Sequence, residues 1–316
     1  MARRRSNLVV ETASREQRVQ QRGRAGSLRD NLVEKRTFDK YLKAVLTFVA
    51  WVDQMGMPQA PDYDSLDLQL CSFLEYLWEC GESKGLAGDS LSGVQHFLMV
   101  RRRFSGAWRL LSAWGRLEIP GRAPPMLPSM ALGLAGLALC EGRLDYSAIV
   151  LFGFHGMLRI GEAFTITRSQ VALGSDFCGT VSLGMTKGAK RKGTPEQVTC
   201  TDALAGRALV RALQFSQNGD ALLVGTPYSF RAWFSAALVR TGLEKFGLKP
   251  YSLRRGGATH TYRQTCNMPF VVERGRWADT RTARLHVTEG LALLSELQLP
   301  AETLTSLREL ATLLLV

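Results

Sequence analysis

Two arginine-centred stretches carry the residue types needed for phosphate chemistry without a metal. In the first, FHGMLRIGEAFTI, Arg159 stands inside an apolar run with Glu162 three residues on. A buried guanidinium must meet a carboxylate, a cluster of backbone carbonyls or a ligand anion, because its desolvation is otherwise uncompensated. Glu162 is placed to orient it. In the second, YSLRRGGAT, the residues Tyr251, Arg254 and Arg255 open a helix just after Lys249-Pro250, a common place for proline. A guanidinium is permanently charged and its planar fork matches two oxygens of a phosphate, so arginines at a helix start suit a phosphodiester clamp. Singly, each also reads as a solvated face residue; the two stretches together favour the clamp.

With GRW and TARLHV further on, these stretches resemble the tyrosine recombinase (phage integrase) family, in particular the DIRS and Crypton types of eukaryotic mobile elements, over about residues 36–300. The intervals carry the likeness: 23 residues separate Arg254 from Trp277, and 9 separate Trp277 from His286. The resemblance implies metal-independent DNA cleavage and rejoining with no cofactor. Arg159 and Arg254 would stabilise the nonbridging oxygens as phosphorus becomes five-coordinate, and Glu162 and Arg255 would support them. Lys187, in TKG, matches the lysine that protonates the leaving 5′ oxygen. Trp277 matches the position where a His or Trp packs against the scissile phosphate. Two positions depart from the family. Tyr251 stands where a histidine is usual, and a phenol with a pKa near 10 is a poor base at neutral pH. His286 stands where the nucleophilic tyrosine belongs. Three readings follow: a mobile-element recombinase that binds DNA but has lost strand cleavage, a working strand transferase using His286 or another residue such as Tyr262, and a domesticated protein kept for DNA binding or architecture.

Elements must bring these residues together. Phe38, Tyr41, Leu42, Val45, Leu46 and Val49 recur at helical spacing, as do Leu70, Phe73, Leu74 and Leu77, then Val94, Phe97 and Leu98, then Trp108, Leu111 and Trp114. Four such helices make a small bundle over residues 36–118, the core-binding domain in the family. Arg101, Arg102, Arg103, Arg109 and Arg116 are its expected phosphate contacts. Four prolines between Pro120 and Pro128 mark a stiff strap over residues 119–129. The catalytic-like domain then spans 130–316, with buried helices before Arg159 and helices at 202–217 and 228–242. A hairpin pairs Thr180–Leu183 with Gln197–Cys200, its turn TKGAKRKGTP carrying Lys187, Lys190, Arg191 and Lys192 toward a phosphate backbone. The expected fold is mainly α with a small antiparallel β-hairpin sheet: a helical core-binding domain plus an α+β recombinase catalytic domain. A last apolar stripe, Leu304, Leu307, Leu310 and Leu314, needs a surface, either on its own chain or on a second copy in a homo-oligomer.

Composition agrees with a nucleic-acid partner. The 316 residues are 46% hydrophobic and 22% charged, with 40 Lys and Arg against 28 Asp and Glu, a formal charge of +12. That balance favours a polyanion, and double-stranded DNA is the first candidate. Residues 1–35 hold nine Lys or Arg and four acids and read as a flexible basic arm. No apolar run is long enough to span a membrane. The six cysteines form no CxxC pair and read as reduced core residues of an intracellular protein; the expected compartment is the nucleus. Neither a metal site nor a P-loop is suggested.

Overall fold

The computed structural model describes residues 14–119, 121–186, 188–189, 193–214 and 226–315, and the chain divides into two units after Gly121. In the first, α1 (Arg15–Ala25) starts at a reciprocal cap between Ser14 and Gln17 and buries no side chain. Part of the expected arm is therefore helical, its start fixed by that reciprocal cap.

The bundle follows as α2 (Lys35–Gln54), α3 (Tyr63–Glu79), α4 (Lys84–Phe97) and α5 (Ser105–Leu117). Asp62 and Ser83 cap α3 and α4, whereas Phe104 precedes α5 and has no oxygen to offer. Asp67 on α3 replaces it, accepting from the Gly106 and Ala107 amides at 2.8 and 2.9 Å. This cross-helix cap fixes α5 on α3.

The face that α2 buries differs from the one expected. Ala44, Phe48 and Trp51 turn inward, while Phe38, Leu42, Leu46 and Val49 remain 38–57% exposed. Two stripes compete on this helix. The aromatic one wins because Phe48 and Trp51 both meet Phe73 with ring centroids 5.2 Å apart, and aromatics bury the most area per residue. Arg101, Arg102 and Arg103, in the loop after α4, and Arg109 and Arg116, a two-turn interval apart on α5, are exposed.

The second unit contains α6 (Pro128–Cys140), α7 (Leu144–His155), α8 (Ile160–Ala163), β1 (Val171–Leu173), β2 (Gly179–Gly184), β3 (Glu196–Cys200) and α9 (Ala203–Gln214). After α9 come α10 (Pro227–Arg240), α11 (Tyr251–Thr265), α12 (Met268–Arg274), α13 (Thr280–Arg284), α14 (Glu289–Gln298) and α15 (Ala301–Thr312). The fold is mainly helical with one small antiparallel sheet. Strand β2 is central, pairing Val181 with Val171 and Val198, and a register shift between Ser182 and Gly184 kinks it before the turn. Three residues of β1 were too few to show alternation. The basic tip residues Lys187, Lys190, Arg191 and Lys192 lie outside the described residues.

Part of the stiff strap packs against this unit, and the reading of the cysteines as core residues needs correction. The proline strap is not free along its length: Met126 and Leu127 are 1% and 2% exposed, and the Met126 amide donates to the Ser252 carbonyl at 3.1 Å. Apolar side chains between prolines are drawn into the nearest core. Among the cysteines only Cys200 is buried, and Cys80, Cys140 and Cys266 are exposed. Each of these three ends a helix, where apolar periodicity no longer decides burial. No helix among the described residues is long and apolar enough to cross a membrane.

Helix α15 packs on α6 of its own chain, burying Leu307 and Leu314. Two glycines dig the socket. A Cβ at Gly133 would stand 2.4 Å from a Leu307 methyl, and one at Gly136 would stand 2.0 Å from the Leu310 carbonyl oxygen. Gly136→Ala is therefore expected to destabilise the protein by about 1–3 kcal/mol, the usual range for overpacking, and a melting temperature equal to that of the wild type would show that α15 is not held there.

Candidate nucleic-acid interface and phosphate site

Helix α11 comes close to its neighbours because of a glycine pair. A Cβ at Gly256 would stand 2.2 Å from the Met126 carbonyl oxygen, and one at Gly257 would stand 2.0 Å from that of Phe154. The close approach buries eight consecutive residues, Ser252 to Thr259, and sets Arg254 against the end of α7. Arg254 is 1% exposed. One terminal nitrogen donates to the Met157 carbonyl and the other to that of Gly275 at 2.6 Å, while its guanidinium carbon lies 4.7 Å from the Trp277 ring centroid. Its Nε has no partner among the described residues, and no carboxylate is hydrogen-bonded to it. Burial, then Arg276 and Arg159, pushes its pKa below the ordinary arginine value. This is a cation short of counter-charge.

Arg159 is the residue before α8 and is 41% exposed at its side chain, not buried as the sequence suggested. Its guanidinium bonds Glu162, and its amide donates to the same carboxylate at 2.9 Å. The buried member of the pair is Glu162. Burial alone would raise its pKa, but Arg276, the Arg159 amide and the Arg159 charge outweigh this and keep it below the usual carboxylate value. Arg159 is thus braced at its base and open at its tip. Arg276 was missed. It sits beside the weighed Trp277 in GRW, but its burial depends on contacts more than a hundred positions away.

Trp277 folds over Gly275, where a Cβ would stand 1.8 Å from the indole. His286 stacks on that indole at 4.7 Å and 27°, and Tyr251 meets His286 from the edge at 5.6 Å. Sequence spacing therefore brings Arg254, Trp277, His286 and Tyr251 together. The backbone around His286 is held from α11: Arg255 donates to the Leu285 carbonyl at 2.8 Å, and the Thr259 hydroxyl accepts from the Thr288 amide at 3.2 Å while sharing its proton between the Arg255 carbonyl at 2.9 Å and the His286 carbonyl at 3.3 Å. The role of Thr259 left no sequence signal. Tyr262 is half-buried against the small cluster of Met157, Ala258, Val271, Trp277 and Ala283.

Burial, followed by Arg254, Arg255, Arg122 and Arg159, pushes the His286 pKa down to about 4. The imidazole is therefore neutral at neutral pH, and its Nδ1 has no partner among the described residues. The unfolded chain takes up this proton as pH falls through about 6.5, whereas the folded protein resists until about pH 4. The associated stability is present above pH 6.5 and is lost between 6.5 and 4. Over that window the wild type should lose up to about 1.4 kcal/mol per pH unit more steeply than His286→Phe; parallel unfolding curves would place residue 286 in an ordinary environment.

No family model and no curated protein matches the sequence. Solved structures do match. The Tn1549 transposon integrase in complex with transposon right end DNA gives a TM-score of 0.59 at 13% identity, over 84% of this chain and 95% of that one. A lambda integrase dimer bound to a COC′ core site gives 0.55 at 15% identity, over 83% and 74%. XerH site-specific recombinase bound to palindromic difH substrate gives 0.54 at 17%, over 80% and 75%. The likeness is one of fold: this chain has the fold of the tyrosine recombinases.

Proposed function

We propose that the protein binds double-stranded DNA and grips a backbone phosphate between Arg159 and Arg254, and that its strand cleavage is impaired because His286 replaces the nucleophilic tyrosine. The observation that carries this reading is Arg254, fully buried against two carbonyls and an indole with no carboxylate bonded to it. A phosphate oxygen is the partner that its charge lacks, and Arg159 has an open tip to share the same anion. The exposed arginines at 101–103 and 109 would add phosphate contacts, as would Lys190, Arg191 and Lys192. Lys187 keeps the role that the resemblance gives it.

Cleavage fails on geometry rather than on protonation. A neutral imidazole has a lone pair, but its ring ends nearer the backbone than a phenol does, so the pair falls short of a phosphorus placed for tyrosine. The DIRS and Crypton likeness of the four motifs supports a mobile-element origin and, with it, a nuclear site of action. With α15 packed in cis, self-association through that helix would require it to leave the α6 socket.

A nicked suicide duplex tests the reading. Tight binding that weakens by about 10³-fold or more between 50 and 200 mM salt is expected from several released counterions, with no covalent adduct. Affinity insensitive to salt would remove the phosphate grip. An acid-labile adduct mapping to residue 286 would show phosphohistidine chemistry and overturn the claim of impairment.

A further inference from the structure

Arg276 occupies a backbone conformation that its residue type disfavours, with φ at 58°, the left-handed region that costs a residue with a Cβ about 1–2 kcal/mol. Its side chain is 5% exposed and lies between two buried carboxylates: Nη2 is 2.7 Å from Glu162 Oε2 and Nε is 3.6 Å from Glu196 Oε2. The same guanidinium leans on the Gly156 and Met157 carbonyls at 3.3 and 3.5 Å. Burial pushes its pKa down, and Glu162 and Glu196 oppose that shift.

Each carboxylate holds something else. Glu162 bonds both the amide and the guanidinium of Arg159. Glu196, the first residue of β3, accepts from the Thr186 hydroxyl at 2.5 Å, and that hydroxyl accepts from the Gly188 and Ala189 amides at 3.2 and 3.1 Å. A Cβ at Gly188 would stand 2.6 Å from Glu196 Oε1, so any side chain there would push on that carboxylate.

We infer that Arg276 is a positioning residue: by bridging Glu162 and Glu196 it fixes Arg159 for phosphate and ties it to the described base of the β2–β3 connection. This rests on the reading of Arg159 as a phosphate ligand. The charge pattern explains why the bridge is an arginine. A rigid fork reaches two carboxylates at once, whereas a single ammonium is a point charge. With Arg276 absorbing part of both negative charges, Glu162 braces Arg159 without cancelling it. A plain structural staple would share the contacts but not the coupling to Arg159.

The test is a double-mutant cycle on duplex binding, using the full chain and one mixed-sequence duplex titrated over a range of salt. Arg159→Ala should lower the salt slope by about one, the loss of a single phosphate contact. Arg276→Gly relieves the backbone, removes the bridge and should lower the slope by the same amount. The combined variant should lose no more than either alone, even where melting temperatures differ. Additive losses would make Arg276 an independent contact and overturn the inference. So would a lowered melting temperature with an unchanged slope. If Arg276→Gly does not fold, Arg276→Lys keeps a cation in place but cannot span both carboxylates; a wild-type slope in that variant would equally refute the bridge. A wild-type slope in Arg159→Ala would instead sink the phosphate-grip reading itself, whatever Arg276 does.

Discussion

The paired exchange Tyr251→His with His286→Tyr is expected to form a covalent adduct with a suicide duplex where, on the proposed reading, the wild type forms none. The two rings already touch, at 5.6 Å, so the exchange conserves the aromatic volume of the pair and avoids the overpacking that a larger ring at a 9% exposed position would bring alone. The backbone that would deliver the new phenol is already held by Arg255 and Thr259 through the Leu285 and His286 carbonyls. A phenol there would meet the burial and the arginine charges that together hold the imidazole neutral. Arg254 and Arg255 favour its phenolate, although burial opposes it. A phosphotyrosine linkage, stable to hydroxylamine and mapping to residue 286, is the expected product. A folded, DNA-binding double variant that forms no adduct on several duplexes would show that residue 286 does not face the phosphate.

In that exchanged background Arg254→Ala is expected to slow adduct formation by about 10²–10³-fold, the usual consequence of removing one preorganised charge contact to the transition state. It should also destabilise the fold by about 2–3 kcal/mol, since the Gly275 carbonyl loses its donor, the Met157 carbonyl keeps only the long bond from Arg276, and the Trp277 face loses its cation. Arg159→Ala should slow the reaction comparably but leave stability nearly unchanged. Its carboxylate partner is not orphaned, because Arg276 still bonds Glu162 at 2.7 Å. Circular-dichroism melts beside adduct kinetics separate the two. Equal melting losses would mean that Arg276 does not hold Glu162, and unchanged kinetics in both variants would remove these arginines from the site.

Residue order was enough to give the mainly helical fold with its small antiparallel sheet and the proximity of Arg254, Trp277, His286 and Tyr251. Those residues lie on α11 or in the turns beside the short helices that follow it, so their intervals translate almost directly into proximity. The apolar spacing of α3 likewise identified Leu70, Phe73, Leu74 and Leu77 as core, because one stripe there has no competitor. On α2 two stripes competed, and only the position of Phe73 on α3 decided between them. The burial of Arg159 was misjudged for a related reason: an apolar run records that a segment is buried, not which of its polar members points outward. Arg276 shows the limit most clearly. Its sequence neighbours are Gly275 and Trp277, yet its partners are Glu162 and Glu196, 114 and 80 positions away. Local spacing determined which residues share a helix or a turn; the closing of the chain over α7 and β3 determined which charges are buried together, since ion pairing in a low-dielectric interior depends on distance in space and leaves no period in the sequence.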